Sequence, residues 1–97
     1  AKNLCDFAQK GKDAKVHPVL EEIIQGFFRE QKPIGAVCIA PAIVGLALRQ
    51  EKLELTMGRD NEASKQMELL GHKHVEKKAS EAHLDRWNKL ATTPAYM

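Results

Sequence analysis

Cys38 is the residue whose type and position could most directly do chemistry. It ends the short apolar run 34–38, and a second apolar segment begins almost at once at Pro41. A buried strand that turns directly into a buried helix lifts one side chain above the edge of a sheet, as in a nucleophile elbow. A thiol there lies at a helix N-terminus, where the helix dipole favours the thiolate. The spacing therefore makes Cys38 a candidate nucleophile and the backbone N–H of Ile39 a candidate donor to an oxyanion.

A structural role is the alternative for this cysteine, because cysteine is among the residue types most often buried in proteins. The spacing alone leaves both interpretations open. The chain has one other cysteine, Cys5. Two cysteines do not make the disulfide framework of a small secreted protein, so we expect reduced thiols in a reducing compartment.

Histidines offer a second set of candidate residues. His72, His74 and Glu76 alternate along the chain, which would place them on one face of a strand. This pattern could be a partial metal site, but on a short edge strand it is more typical of a solvated face, so we predict no metal. His83 could approach Cys38 as a neighbour of the site, although a structural hydrogen bond is the commoner role for such a residue.

Composition excludes several classes of function. The 97 residues are 43% hydrophobic and 29% charged, which is typical of at most one globular domain. The net charge is only +2, both signs are interspersed, and aromatic residues are few, so we expect no nucleic-acid partner. The apolar stretch 33–48 is shorter than the roughly 20 residues of a membrane helix, so no membrane span is expected. The first residues lack the apolar run of a signal peptide, so we expect none, and we expect no cofactor.

The periodicity of apolar residues predicts the elements that position these side chains. Helices are expected over residues 17–31, 41–49 and 60–70. Strands are expected over residues 34–38, 52–57 (half-buried) and 74–75, and in a hairpin formed by 82–85 and 89–93. Alternation of helices and strands predicts an α/β fold with a mainly parallel sheet. For the helix ends, His17 and Asp60 are expected as N-terminal caps and Gly71 as a C-terminal cap.

Several segments resemble the ElbB-type proteins, also called enhancing lycopene biosynthesis or sigma cross-reacting proteins. They are Ala-Lys-Asn-Leu at 1–4, Lys-Pro-Ile-Gly at 32–35, Cys-Ile-Ala-Pro at 38–41, Glu-Ala-His-Leu-Asp at 81–85 and Asn-Lys-Leu-Ala-Thr-Thr-Pro-Ala-Tyr-Met at 88–97. They occur in the family's order and cover nearly the whole chain. The resemblance implies the PfpI-like, class I glutamine amidotransferase-like superfamily and its flavodoxin-like three-layer sandwich, ending here in a β-hairpin. Residues 1–97 would be the central-to-C-terminal part of one domain, without its N-terminal strands and C-terminal helix.

The resemblance also implies a function, a glyoxalase- or deglycase-like lyase or hydrolase acting on small aldehydes such as methylglyoxal and glyoxal. The Cys38 thiolate would attack the aldehyde, and an acid–base partner outside this chain would move the protons. Ile39 stands where superfamily peptidases carry a histidine, and Gly58-Arg59-Asp60 replaces a Gly-His-Glu of vertebrate relatives. These departures argue against a Cys–His dyad and against glutaminase or peptidase activity. The alternative is a non-enzymatic structural, assembly or redox-responsive member of the same fold.

Strand 34–38 is apolar on both faces, which is typical of a strand in the middle of a parallel sheet. If the family's earlier strands are missing, one edge of this strand stays unpaired, and Val37, Ile23 and Phe27 should remain exposed. We therefore expect a homodimer or an association with further protein that covers the open sheet. The resemblance places such a protein in the bacterial cytoplasm or the mitochondrial matrix.

Overall fold

The computed structural model describes residues 7–95, except for the side chain of Ala8, and shows alternating helices and strands. The helices are α1 (Phe7–Lys10), a 3-10 turn (Gly11–Asp13), α2 (Pro18–Arg29), α3 (Ala40–Ala47) and α4 (Glu62–Leu69). The strands are β1 (Ile34–Val37), β2 (Glu54–Leu55), β3 (Lys73–His74), β4 (His83–Asp85) and β5 (Leu90–Thr93). Most of the predicted elements are therefore present but shorter, whereas Cys5 lies outside the described residues.

The strands form two small sheets. One has the order β1-β5-β4, and the other pairs β2 with β3 in parallel. β1 runs parallel to β5, with Ile34 opposite Leu90 and Val37 opposite Thr93. β4 and β5 form the predicted antiparallel hairpin, in which His83 lies opposite Thr92. The predicted α/β class is thus confirmed, with two parallel strand pairs and one antiparallel pair in the C-terminal hairpin.

Side chains join the two sheets. The backbone N–H of Glu54 donates to Oδ2 of Asp85 at 2.8 Å, and that of Thr56 donates to Oγ1 of Thr92 at 2.9 Å. These bonds give the backbone of the β2 segment partners that it does not obtain from a neighbouring strand. Thr56 is consequently buried, so the segment 52–57 is covered more fully than the predicted half-buried strand.

The core lies around α3, whose residues from Pro41 to Ala47 are all buried. Other fully buried side chains that share this core are Leu53, Leu55, Met57, Met67 and Leu90. Gly45 allows the close approach of α4 and β3, because a Cβ at this position would overlap the sulfur of Met67 and crowd the ring of His72. No helix in the part of the chain that the structure describes is long and apolar enough to cross a membrane.

One side of the molecule remains apolar and open. Within residues 7–95, β1 pairs only with β5, and Val37 is 47% exposed. On α2, Ile24 is buried, whereas Ile23 is 51% and Phe27 43% exposed. The predicted exposure of these three side chains is therefore confirmed, and the apolar stripe predicted for α2 faces both the core and the surface.

Candidate functional site

Cys38 occupies the turn that joins β1 to α3. Its backbone has φ = 66°, in the left-handed region that residues other than glycine seldom adopt. Its N–H donates to the carbonyl of Thr93 at 3.0 Å, which fixes the turn to the end of β5. Such a conformation costs on the order of 1 kcal/mol or more and is concentrated at functional sites. The predicted strand-to-helix junction and strained backbone are confirmed, whereas the role of Cys38 as a nucleophile stays a prediction.

The start of α3 lies directly beside Cys38. Ile39 is the N-cap residue, and no described side chain caps this end of the helix. Uncapped N–H groups at a helix start favour negative charge, both as donors and through the helix dipole. The N–H of Ile39 is therefore suitably placed for the predicted oxyanion role, which remains a prediction.

His83 forms the structural hydrogen bond expected of it. Its Nε2 lies 2.9 Å from Oε1 of Glu54, and the two side chains are 18% and 45% exposed. Because β5 lies between β4 and β1, a whole strand separates His83 from the strand that leads to Cys38. Its place as a neighbour of the site stays a prediction.

His72 is a buried structural residue. Its Nε2 lies 2.8 Å from the carbonyl of Gly45, and its Nδ1 accepts a hydrogen bond from the N–H of Leu53 at 3.2 Å. A single neutral tautomer, protonated at Nε2, satisfies both bonds. Burial lowers the pKa of His72, and the bond to Gly45 only partly opposes this. The neutral ring thereby ties α3 to the segment that leads into β2.

The prediction of a solvated face at His72, His74 and Glu76 is wrong for both histidines. The side chain of His74 is only 1% exposed, with Nδ1 3.2 Å from Oδ1 of Asp60 and with a buried Nε2 that has no partner. His72 lies against Gly45 of α3, and β3, which contains His74, packs against α4. Within residues 7–95, no three histidine, cysteine or acidic side chains are grouped so that they could hold a metal ion.

We expect the stability of the protein to fall as the pH drops below about 6.5, the ordinary pKa of histidine. Below this pH the unfolded chain binds a proton at His72, whereas the folded protein does not, because its His72 has a lowered pKa. Protonation therefore favours the unfolded state. The contribution of neutral His72 to the free energy of unfolding is complete above pH 6.5. It is lost as the pH falls towards the lowered pKa that His72 has in the folded protein. Urea unfolding at several pH values measures it.

Replacement of His72 by glutamine should flatten this part of the stability curve, since no titrating ring remains at the buried position. His17→Gln is the matched control, because His17 is exposed and its Nδ1 caps α2 by accepting the N–H of Val19. A pH slope that is the same in wild type and His72→Gln would show that the buried ring is not its source.

Asp85 is a buried carboxylate that sequence reasoning did not identify. It is 4% exposed and accepts bonds from the N–H of Glu54 at 2.8 Å, the N–H of Asn88 at 3.1 Å and the amide of Asn88 at 2.8 Å. Burial by itself would raise the pKa of Asp85, but the bonds from Asn88 and Glu54 and the charge of His83 outweigh it, so the pKa is lowered. Asp85 therefore acts as a structural anion that holds the hairpin loop against β2. In the sequence, the spacing Asp85-x-x-Asn88 could have indicated this loop, because an aspartate can accept hydrogen bonds from an asparagine three residues later.

Asn61, not Asp60, caps α4. Its side chain accepts the N–H of Ser64 at 2.8 Å, and the hydroxyl of Ser64 accepts the N–H of Asn61 at 2.9 Å, which completes a capping box. The expectation for Asp60 is wrong because its carboxylate instead contacts His74. The caps predicted at His17 and Gly71 are supported, the latter by a left-handed φ of 99°.

A cavity of about 300 Å³ opens at the edge of the molecule where the parallel strands end. Its lining residues are Met57, Gly58, Arg59, Asn61, Lys77, Lys78, Ala79 and Pro94. Pro94 follows Thr93, whose carbonyl accepts the N–H of Cys38. Pro94 in the cavity wall is therefore the chain neighbour of Thr93, which holds the Cys38 turn by its hydrogen bond. In α/β folds this edge of the sheet is where ligands bind.

No family model matches the chain. Over its whole length it is 41% identical to the human glutamine amidotransferase-like class 1 domain-containing protein 3, mitochondrial, and 39% identical to the rat ES1 protein homolog, mitochondrial. It is 31% identical to the zebrafish (Danio rerio) ES1 protein, mitochondrial, over 99% of its length. The chain spans 39% of the length of each relative. Their mitochondrial location agrees with the predicted compartment.

Among solved structures, the chain matches an isoprenoid biosynthesis protein with an amidotransferase-like domain from Ehrlichia chaffeensis. The TM-score is 0.84 and the identity is 28%, and the match covers the whole chain and 43% of that structure. The predicted flavodoxin-like, amidotransferase-like fold is thus confirmed.

Proposed function

We propose that this chain, a homologue of the ES1 and ElbB-type proteins of the glutamine amidotransferase-like superfamily, carries the nucleophile of an enzyme that acts on small reactive aldehydes. The observation that best supports the proposal is the left-handed backbone of Cys38 between β1 and α3. Gln31 and Lys89 have similar φ values at exposed turns, so the support comes from the strained backbone together with its position between the end of a strand and the start of a helix.

The first step is addition of the Cys38 thiolate to the aldehyde carbon of methylglyoxal or glyoxal. A C–S bond forms, and the π electron pair of the carbonyl moves to its oxygen. The N–H of Ile39 and the positive end of α3 stabilise this oxyanion, which then takes a proton to give a hemithioacetal.

In the second step a base removes the proton from the hemithioacetal carbon, and the neighbouring carbonyl carbon is reprotonated through an enediol. The aldehyde carbon is thereby oxidised to a thioester while its neighbour is reduced to an alcohol. Water hydrolyses the thioester, which releases the 2-hydroxy acid and regenerates the thiol. The redox change is internal, so this sequence requires no cofactor.

We place the base that moves these protons outside the 97 residues. His83 is engaged with Glu54, and Ile39 stands where superfamily peptidases carry a histidine next to the cysteine. The chain spans only 39% of its relatives, so the remaining part of such a protein has room for this group.

A non-enzymatic assembly subunit is the second candidate. The exposed side chains of Ile23 and Phe27 on α2, together with the open edge of β1, favour it, because apolar surface of this kind usually marks an interface. Conversion of methylglyoxal to lactate, measured with and without the Cys38 thiol, separates the two candidates. Conversion that depends on Cys38 establishes the enzyme, whereas a folded protein without conversion favours the subunit.

A further inference from the structure

Three cations line the cavity beside the Cys38 turn. Arg59 projects from the loop after β2, and Lys77 and Lys78 come from the segment after β3. The lining contains no carboxylate, and its other polar side chain is the amide of Asn61. Lys77 is half-buried, whereas Arg59 and Lys78 are exposed.

Within residues 7–95, none of these three cations forms an ion pair, although exposed lysines elsewhere do, as Lys12 does with Asp13. Asp60 and Glu81, two acidic residues near these cations in the chain, do not line the cavity. The carboxylate of Asp60 contacts His74, and that of Glu81 accepts the backbone N–H of Lys78 at 2.8 Å. The cavity therefore carries positive charge that nothing in its lining neutralises. A bound anion would remove the mutual repulsion of these groups.

The walls of the cavity are fixed before any ligand binds. The amide of Asn61 donates to the carbonyls of Met57 and Arg59, each at 2.9 Å, and holds the backbone that carries the guanidinium. The N–H of Lys77 donates to the carbonyl of Gly58 at 3.3 Å and joins the two walls. Because this backbone is already held, the loss of freedom on binding is confined to the cationic side chains.

We propose that this cavity binds the carboxylate of a small oxo or hydroxy acid. The fork of Arg59 matches the two oxygens of a carboxylate, and Lys77 and Lys78 supply further positive charge. The volume of about 300 Å³ lies at the lower limit of ligand sites, which suits an acid of a few carbon atoms. The choice of acid rests on the proposed function, whose product is a 2-hydroxy acid formed at Cys38.

Binding of lactate and glycolate tests the site, with inorganic phosphate as a separate arm. The measurement is calorimetric titration of the longest natural polypeptide that contains these residues, carrying Cys38→Ser so that no turnover occurs. Arg59→Gln and Lys77→Gln should each raise the Kd for lactate or glycolate about tenfold, since a charged hydrogen bond is lost. Arg86→Gln is the matched control, an exposed cation in the hairpin loop, and should leave the Kd nearly unchanged.

Three results would overturn the proposal: no binding of either acid, an equal loss of affinity in Arg86→Gln, or binding of phosphate in place of the carboxylates. Carboxylate binding in a protein that does not convert aldehydes would uphold the cavity and refute the enzyme. Suppose instead that conversion depends on Cys38, that its KM is unchanged in Arg59→Gln, and that neither acid binds. This result would uphold the enzyme and refute the carboxylate site in the cavity.

Discussion

Replacement of Cys38 by serine will lower kcat/KM for methylglyoxal by about a thousandfold or more, to the background of the assay. A serine hydroxyl at the same position is not ionised near neutral pH and adds to an aldehyde far less readily than a thiolate. The change is otherwise small, so the turn between β1 and α3 should be retained. Lactate formation by the longest natural polypeptide that contains the chain measures the effect.

Two further variants separate the loss of chemistry from the loss of fold. Cys5→Ser removes the other thiol and should leave conversion unchanged. Cys38→Gly should be as inactive as Cys38→Ala but unfold at a higher urea concentration, because glycine adopts the φ of 66° without steric strain. Conversion at the wild-type rate by Cys38→Ala would refute the mechanism.

Replacement of Asp85 by alanine is the change with the largest expected effect on stability, a loss of about 3 kcal/mol or more. The substitution leaves the N–H groups of Glu54 and Asn88 without their acceptor in a position that is 4% exposed. It also removes the contact that holds the hairpin loop against β2. The free energy of unfolding in urea measures the loss.

The same carboxylate gives the protein a defined acid sensitivity. The pKa of Asp85 is lowered in the folded protein, so its stabilising effect is complete above the ordinary value of 3.8. It is lost as the pH falls from there towards the folded pKa. Asp13→Ala is the matched control, since Asp13 is 77% exposed and pairs with Lys12 at the surface. Equal unfolding midpoints for Asp85→Ala and Asp13→Ala would contradict the structural role of Asp85.

Local sequence patterns were sufficient to place Cys38. The apolar run before it, with Pro41 three residues later, predicts the strand, the turn and the helix, and all three are present. The hairpin could be predicted equally well from the sequence, because two short strand-like segments flank one polar loop. The cap of α4 could have been assigned correctly, since Ser64 stands three residues after Asn61 and completes the capping box.

Features that depend on packing between distant elements could not be read from spacing. His72 and His74 alternate with charged residues and look solvated, but the packing of α3 against His72 and of α4 against β3 leaves both side chains buried. Asp85 is an ordinary loop-side acid in the sequence, and only the approach of β2 makes it a buried acceptor. The cationic cavity depends on the parallel pairing of β2 with β3, which brings Arg59 beside residues far along the chain.

The reaction of Cys38 with iodoacetamide is the most direct test of its nucleophilic character. The rate is measured at about pH 7 in a Cys5→Ser background, where Cys38 is the one thiol left in the 97 residues, and is compared with N-acetylcysteine. We expect the folded protein to react at least about tenfold faster than N-acetylcysteine, because Cys38 lies at the turn directly before the uncapped start of α3, and to lose this advantage when unfolded in urea. A folded protein that reacts at the rate of N-acetylcysteine, or more slowly, would show that Cys38 is a structural thiol.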